Sequence, residues 1–174
     1  MADVSMLFLC TGNAARSVMA GAIWTARFPE APVVTAGTHV LEGRPMSLRT
    51  RNALEQIGVA IPEHRSRQAD SRNLADADLV VAMEAAHVRW VRRAHPAASE
   101  KTATLRRLVT DLPGTRGDVM ERLEALGLAT CDLDDAEDVL DPAGGEDQVY
   151  VQCAAEIAAL MRELADTLTE GTGP

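Results

Sequence analysis

The run Met6-Leu7-Phe8-Leu9-Cys10-Thr11-Gly12-Asn13-Ala14-Ala15-Arg16-Ser17 constrains this chain more than any other. Its apolar start reads as a strand buried on both faces. A Cys closes the strand, an Arg follows six positions later, and a helical pattern begins directly after it. A strand passing through a short loop into a helix opens a parallel α/β sheet, and such sheets bind ligands beyond the carboxyl ends of their strands. A cysteine thiolate needs electropositive surroundings at neutral pH. A phosphate-like dianion needs converging N–H donors and a forked cation. The loop from Cys10 to Arg16 can supply both, as a nest of inward backbone N–H groups closed by a bidentate guanidinium. Gly12 and Asn13 are the residue types that most readily accept the left-handed conformations such a loop can require. Ser17 either caps the following helix or hydrogen-bonds the thiolate. The spacing alone is weak: the chain has three Cys and 17 basic residues, all Arg except Lys101, and roughly one such chain in four would show it by chance. The bland alternative is a buried core Cys and a surface Arg. The strand–helix junction argues for a site.

The 174 residues suit one domain, read here as residues 1–170 with 171–174 as a short C-terminal tail. Aromatic residues make up only 3%, so the core must be built mainly from Ala, Val, Leu, Ile and Met. A net charge of −9 argues against non-specific binding to nucleic acid or anionic membrane. It leaves room for an anionic substrate, because a local nest and one Arg can reverse the field. The three Cys lack a disulfide-framework spacing, no secretory signal precedes the first strand, and no apolar run is long enough for a membrane span. A reducing cytoplasm is the expected compartment. No His, Cys and carboxylate spacing resembles a zinc site, and neither metal nor cofactor is expected. Oligomeric state is left open.

Strands are expected at Val4–Leu9, Val33–Ala36, Leu79–Met83 and Thr102–Leu105, and helices at Ser17–Phe28, Met46–Ile57, Glu84–Ala94, Asp118–Leu126 and Gly145–Thr169. Residues 62–70 read as an extended segment or loop, Asp76 and Asp78 as turn residues, and 111–117 and 131–141 as loops. In the last helix Val149, Cys153, Ile157, Leu160, Leu164 and Leu168 share a face. The alternation predicts a parallel sheet with helices on both faces. Trp24 and Cys153 read as packing residues, Cys131 as a spare thiol in a polar loop, His87 as helix surface and His95 as helix end. His39 is a candidate for the border of the site's mouth.

Cysteine attack on a phosphate monoester needs a proton for the departing oxygen. Asp141 in Asp141-Pro142-Ala143-Gly144-Gly145 is a candidate, since Pro142 restricts it to an extended conformation. The same residues are also ordinary turn chemistry, and Asp132, Asp134, Asp135, Glu137 and Asp138 compete for the role.

Cys10-Thr11-Gly12-Asn13-Ala14-Ala15-Arg16-Ser17 after a first strand, with Asp141-Pro142-Ala143-Gly144-Gly145 near the C-terminus, resembles the low-molecular-weight protein tyrosine phosphatase family. Thr35-Ala36-Gly37-Thr38, Gly43-Arg44-Pro45-Met46, His64-Arg65-Ser66-Arg67-Gln68 and Ala77-Asp78-Leu79-Val80-Val81-Ala82-Met83 resemble its bacterial members in the same order. The match is weakest from Asp111 to Leu140. The resemblance implies a single-domain α/β fold, a four-stranded parallel sheet flanked by helices, and a phosphomonoester hydrolase acting on phosphorylated protein or small aryl phosphates. Cys10 would form a phosphocysteine intermediate. Arg16 and the loop N–H groups of Thr11, Gly12, Asn13, Ala14 and Ala15 would bind the phosphoryl oxygens. Asn13 would hold the loop with His64 as its partner, Ser17 would stabilise the thiolate, and Asp141 would be general acid, then base.

This chain departs from the family at three places. Ala15 stands where many relatives carry a second Cys, so a protective disulfide within the loop cannot form. Ala143-Gly144 stands where relatives carry an aromatic, which weakens the expectation of strong phosphotyrosine preference. Val18 replaces a common Pro. Two other functions compete on the same fold: an arsenate reductase using a small-thiol reductant, and a non-enzymatic oxyanion-binding module.

Overall fold

The computed structural model describes residues 4–170, so the expected tail at 171–174 lies outside the described residues. Four parallel strands, β1 (Met6–Cys10), β2 (Val33–Gly37), β3 (Leu79–Ala82) and β4 (Thr102–Thr104), form one sheet in the order β2-β1-β3-β4. The helices are α1 (Arg16–Arg27), α2 (Leu48–Gln56), α3 (Ser71–Asp76), α4 (Ala85–Ala94), α5 (Leu105–Asp111), α6 (Val119–Ala125) and α7 (Asp147–Glu170).

Strand β1 is buried along its whole length, as a central parallel strand must be. Its side chains alternate: Met6, Phe8 and Cys10 enter a large core, while Leu7 and Leu9 enter a smaller one on the opposite face. The large core takes Met19 and Trp24 from α1, Leu54 from α2, Leu108 from α5 and Ile157, Met161 and Leu164 from α7. The small core takes Leu74 from α3 and Val91 from α4. Trp24 is the packing residue expected, with its ring centroid 6.2 Å from Phe8 and 4.7 Å from Phe28. Cys153 is fully buried in the same core.

The chain leaves β1 toward one edge of the sheet to make β2, then crosses to the other side for β3 and β4. Loops following β1 and β3 therefore diverge above the carboxyl ends of neighbouring strands, and the crevice between them is where such sheets bind ligands.

Several expectations need correction. Helix α3 was not anticipated, and Asp76 at its end was read as a turn residue; the helix is only six residues long, too short for a periodic signal, and rests on a capping box between Asp70 and Asn73. Helix α5 was not anticipated; Thr104 caps it by accepting from Arg107 N–H, and Leu105, Leu108 and Leu112 are buried. Helix α2 starts two residues later than expected because Ser47 stays extended and caps Thr50 N–H. On α7 the buried stripe turns to Met161 in place of Leu160, and Val149 is half-buried.

Helix α1 approaches the sheet through Gly21, where an added Cβ would lie 2.5 Å from Thr35 Cγ2 and 3.6 Å from Val33 Cγ1. Gly21→Val is expected to lower stability by about 2–3 kcal/mol through overpacking. In urea denaturation this reads as a lower midpoint with an unchanged slope.

Candidate active site

The loop between β1 and α1 is built by turning its carbonyls outward. Cys10 O accepts from Thr38 N–H at 2.9 Å and Thr11 O from His39 N–H at 2.9 Å. Asn13 O accepts from His64 Nε2–H at 2.7 Å and Ala14 O from Thr50 Oγ1–H at 2.9 Å. With the carbonyls engaged outside, the main-chain N–H groups of Thr11 to Ala15 donate to no acceptor among the described residues and form a nest at the start of α1. Asn13 takes the one left-handed non-glycine conformation among the described residues, with φ 49°. Of the two residue types suited to that conformation, Gly12 does not adopt it; one left-handed residue suffices to turn the loop.

Asn13 also braces the loop from within. Its Oδ1 accepts from Arg67 N–H at 2.9 Å, and its Nδ2 donates to Ser17 Oγ at 2.9 Å. Ser17 Oγ lies 3.0 Å from Cys10 Sγ. Because Asn13 supplies that hydroxyl's incoming hydrogen bond, the Ser17 proton is free to donate to sulfur. Ser17 therefore serves the thiol; the N-cap of α1 is Ala15, which has no capping side chain. Cys10 and Ser17 are both buried.

Arg16 is buried at 2% exposure, and its guanidinium is held from three sides. Nη1 donates to Glu84 Oε1 and, at 3.2 Å, to Val139 O; Nη2 donates to Asp141 Oδ2 at 2.9 Å. Of the five N–H donors of an arginine, Nε–H and one Nη2–H remain, the fork needed for a bidentate grip on an oxyanion. Asp141 is fixed in turn by Ala143 N–H, which donates to its Oδ1 at 3.1 Å. Cys153 Sγ–H donates to Leu140 O at 3.3 Å, and burial pushes this thiol up to about 12.

The acidic neighbours of Asp141 have other partners. Asp138 accepts from Ala85 N–H at the start of α4, Glu137 binds Arg107 and Thr104, and Asp135 binds Arg89. Asp134 accepts from Ala136 N–H, and Asp132 is exposed.

Thus the structure brings Cys10, Thr11, Gly12, Asn13, Ala14, Ala15, Arg16, Ser17, His64 and Asp141 into one site. His39 borders it through its bond to Thr11. Sequence reasoning missed Glu84 and His87. Both follow β3, and only the strand order places the end of β3 beside the end of β1. His87 is not a surface residue: it is 3% exposed, and its Nε2 lies 2.9 Å from Thr11 Oγ1. Burial and the Arg16 charge push its pKa down to about 3, against an opposing pull from Asp141. Burial also lowers His64, against its hydrogen bond to Asn13. Cys131 is half-buried and accepts from Arg92 Nη2 at 3.3 Å. Among the described residues no group of three or more His, Cys, Asp or Glu side chains is arranged to hold a metal ion.

Between pH 6.5 and about 3 the unfolded chain protonates His87 while the folded chain does not. The unfolded state then binds more protons, so folding stability falls as pH falls, by up to about 1.4 kcal/mol per pH unit from this residue. Urea denaturation at pH 7 and pH 5 should show a steeper loss for the native chain than for His87→Gln. Gly37 tests the loop itself. An added Cβ would lie 2.5 Å from Thr11 O and 2.9 Å from Asn13 N, both main-chain atoms. Gly37→Ala is expected to weaken binding of inorganic phosphate at least roughly tenfold by displacing the nest, measured by calorimetry.

Comparison with known proteins agrees with this geometry. The model of the family "low molecular weight phosphotyrosine protein phosphatase" matches residues 5–125. A protein-arginine-phosphatase of Geobacillus stearothermophilus is 31% identical over 164 residues, 94% of this chain and 95% of its own length. A probable low molecular weight protein-tyrosine-phosphatase, EpsP, of Ralstonia solanacearum is 34% identical over 104 residues, 60% of this chain and 70% of its own. Among solved structures, the YwlE arginine phosphatase from Geobacillus stearothermophilus superposes with a TM-score of 0.76 at 30% identity, covering 96% of this chain and 94% of its own. A mutant YwlE arginine phosphatase with a phosphorylated active-site serine superposes at 0.77 with 27% identity, covering 97% and 98%. This chain belongs to the low molecular weight phosphotyrosine protein phosphatase family and is a phosphatase.

Proposed function

We propose that this phosphatase hydrolyses phosphorylated protein side chains through a phosphocysteine intermediate on Cys10. The observation that carries the reading is the buried Cys10 thiol, 3.0 Å from Ser17 Oγ, at the start of a loop whose N–H groups and Arg16 fork are free for an oxyanion. The Cys10 thiolate attacks phosphorus, and the bond from phosphorus to the leaving group breaks. Asp141 gives its proton to the leaving group. The loop N–H groups and Arg16 stabilise the charge of the transition state. Asp141 then takes a proton from water, which attacks phosphorus and breaks the P–S bond, releasing phosphate and the thiolate. Asn13, Ser17 and His64 hold this geometry. A thiol chemistry without a partner Cys in the loop suits a reducing compartment such as the cytoplasm.

The family model points to phosphotyrosine as the substrate. A specific observation favours phosphoarginine as a second reading: the relatives whose similarity runs the length of this chain include two protein-arginine-phosphatases, matched over 94% and 95% of it. Ala143 and Gly144 beside Asp141 are exposed and offer no aromatic wall for a tyrosine ring. The P–N bond of phosphoarginine also needs a proton on its leaving nitrogen, the task given to Asp141.

The test compares p-nitrophenyl phosphate, a phosphotyrosine peptide and a phosphoarginine peptide in reducing buffer. Turnover should vanish in Cys10→Ser. In Asp141→Asn it should fall by roughly 10²–10⁴. The ratio of kcat/KM for the two peptides decides the side chain. A folded protein with a free Cys10 that turns over none of the three would overturn the reading, and reduction of arsenate with a small thiol would then be measured.

A further inference from the structure

His87 lies outside the proposed reaction, yet it is a buried imidazole attached to the phosphate loop. Its Nε2 lies 2.9 Å from Thr11 Oγ1 and 3.7 Å from Glu84 Oε2. Its Nδ1 is buried without a partner among the described residues. These contacts settle the tautomer. A proton on Nδ1 would bury an N–H with no acceptor and turn a bare nitrogen lone pair toward the Glu84 carboxylate. A proton on Nε2 faces two oxygens and leaves only a lone pair unmatched, the cheaper omission. His87 is therefore the donor and Thr11 Oγ1 the acceptor, and the low proton affinity of this buried ring keeps it neutral in that role.

The consequence falls on Thr11. Its main-chain oxygen is held by His39 N–H at 2.9 Å and its side-chain oxygen by His87, so an exposed loop residue has little freedom left. Its hydroxyl proton has no acceptor among the described residues. Thr11 directly follows Cys10 and its main-chain N–H belongs to the nest.

We propose that His87 is a positioning residue that fixes the Thr11 hydroxyl at the phosphate loop, where Thr11 donates a side-chain hydrogen bond to the bound phosphoryl group. The proposal rests on the reading of this loop as the phosphate site. It adds one donor to the main-chain nest, set by a residue from the far side of β3. His87 itself does not touch substrate.

Binding of inorganic phosphate, followed by calorimetry without need of turnover, tests it, with KM and kcat for p-nitrophenyl phosphate alongside. Thr11→Val removes the hydroxyl while keeping the shape, and His87→Leu removes the imidazole donor. Each should weaken phosphate binding roughly tenfold, the usual effect of losing one hydrogen bond to a charged group. The double variant should be no weaker than either single one. Thr11→Ser and His87→Gln, which keep a hydroxyl and a donor, should bind within about threefold of the native chain. Native-like binding by Thr11→Val, or losses that multiply in the double variant, would overturn the proposal, since a purely structural His87 changes melting temperature without coupling to the Thr11 hydroxyl. A native protein that binds no phosphate would instead overturn the phosphate-site reading.

Discussion

The site depends on the outward turn of the phosphate-loop carbonyls, and Asn13 is the residue that enforces it. A chain reversing over so few residues must place one of them in the left-handed region, and an asparagine accepts this with less strain than most side chains. Asn13 then uses its main-chain oxygen and both polar atoms of its side chain in this cause. Its main-chain oxygen receives His64, its side-chain oxygen receives Arg67 N–H, and its side-chain nitrogen reaches Ser17. Main-chain shape and thiol chemistry are thereby joined in one residue, since Ser17 meets both Asn13 and Cys10. The rest of the fold supports this point: β2 ends beside the loop at Gly37, and segment 64–67 bonds both to Gly37 and to Asn13.

A chain of net charge −9 binds an anion by arranging charge locally. The donors that matter are peptide dipoles, which carry no net charge and cost nothing in overall composition. The single guanidinium in the loop lies at the crossing point of the sheet, where the turns after β1 and β3 diverge. That placement brings Glu84 and His87 from the second turn against Arg16 and Thr11 from the first.

This explains what was legible in the sequence. Cys10, Arg16 and Asn13 lie within one continuous motif, and their roles follow from local chemistry. Buried β1 and the long α7 were legible from their apolar patterns. Asp141, the acid of the proposed reaction, was singled out only through resemblance, because its acidic neighbours look alike in sequence; in the structure Asp141 bonds Arg16, while Asp138 accepts from Ala85 N–H and Glu137 pairs with Arg107. Short α3 and α5 escaped because six or seven residues hold little periodicity, whereas α6, equally short, is bracketed in the sequence by Asp118 and Gly127. His87 was misread as surface because nothing local to α4 marks it as facing another strand's loop. Its burial is a property of strand order, which no window of sequence contains.

The pairing of Arg16 with two carboxylates follows from the cost of burying charge. A guanidinium removed from water needs partners, and Glu84, Asp141 and Val139 O supply them. The arrangement also bears on the proposed reaction. A phosphoryl dianion beside the Cys10 thiolate, Glu84 and Asp141 gathers more negative charge than one guanidinium and a neutral nest can balance. Glu84 is tied to Arg16 within the crevice, whereas Asp141, tied to the same guanidinium, sits on an exposed loop. In the proposed reaction the ion pair to Arg16 holds Asp141 beside the guanidinium fork until the phosphoryl group arrives.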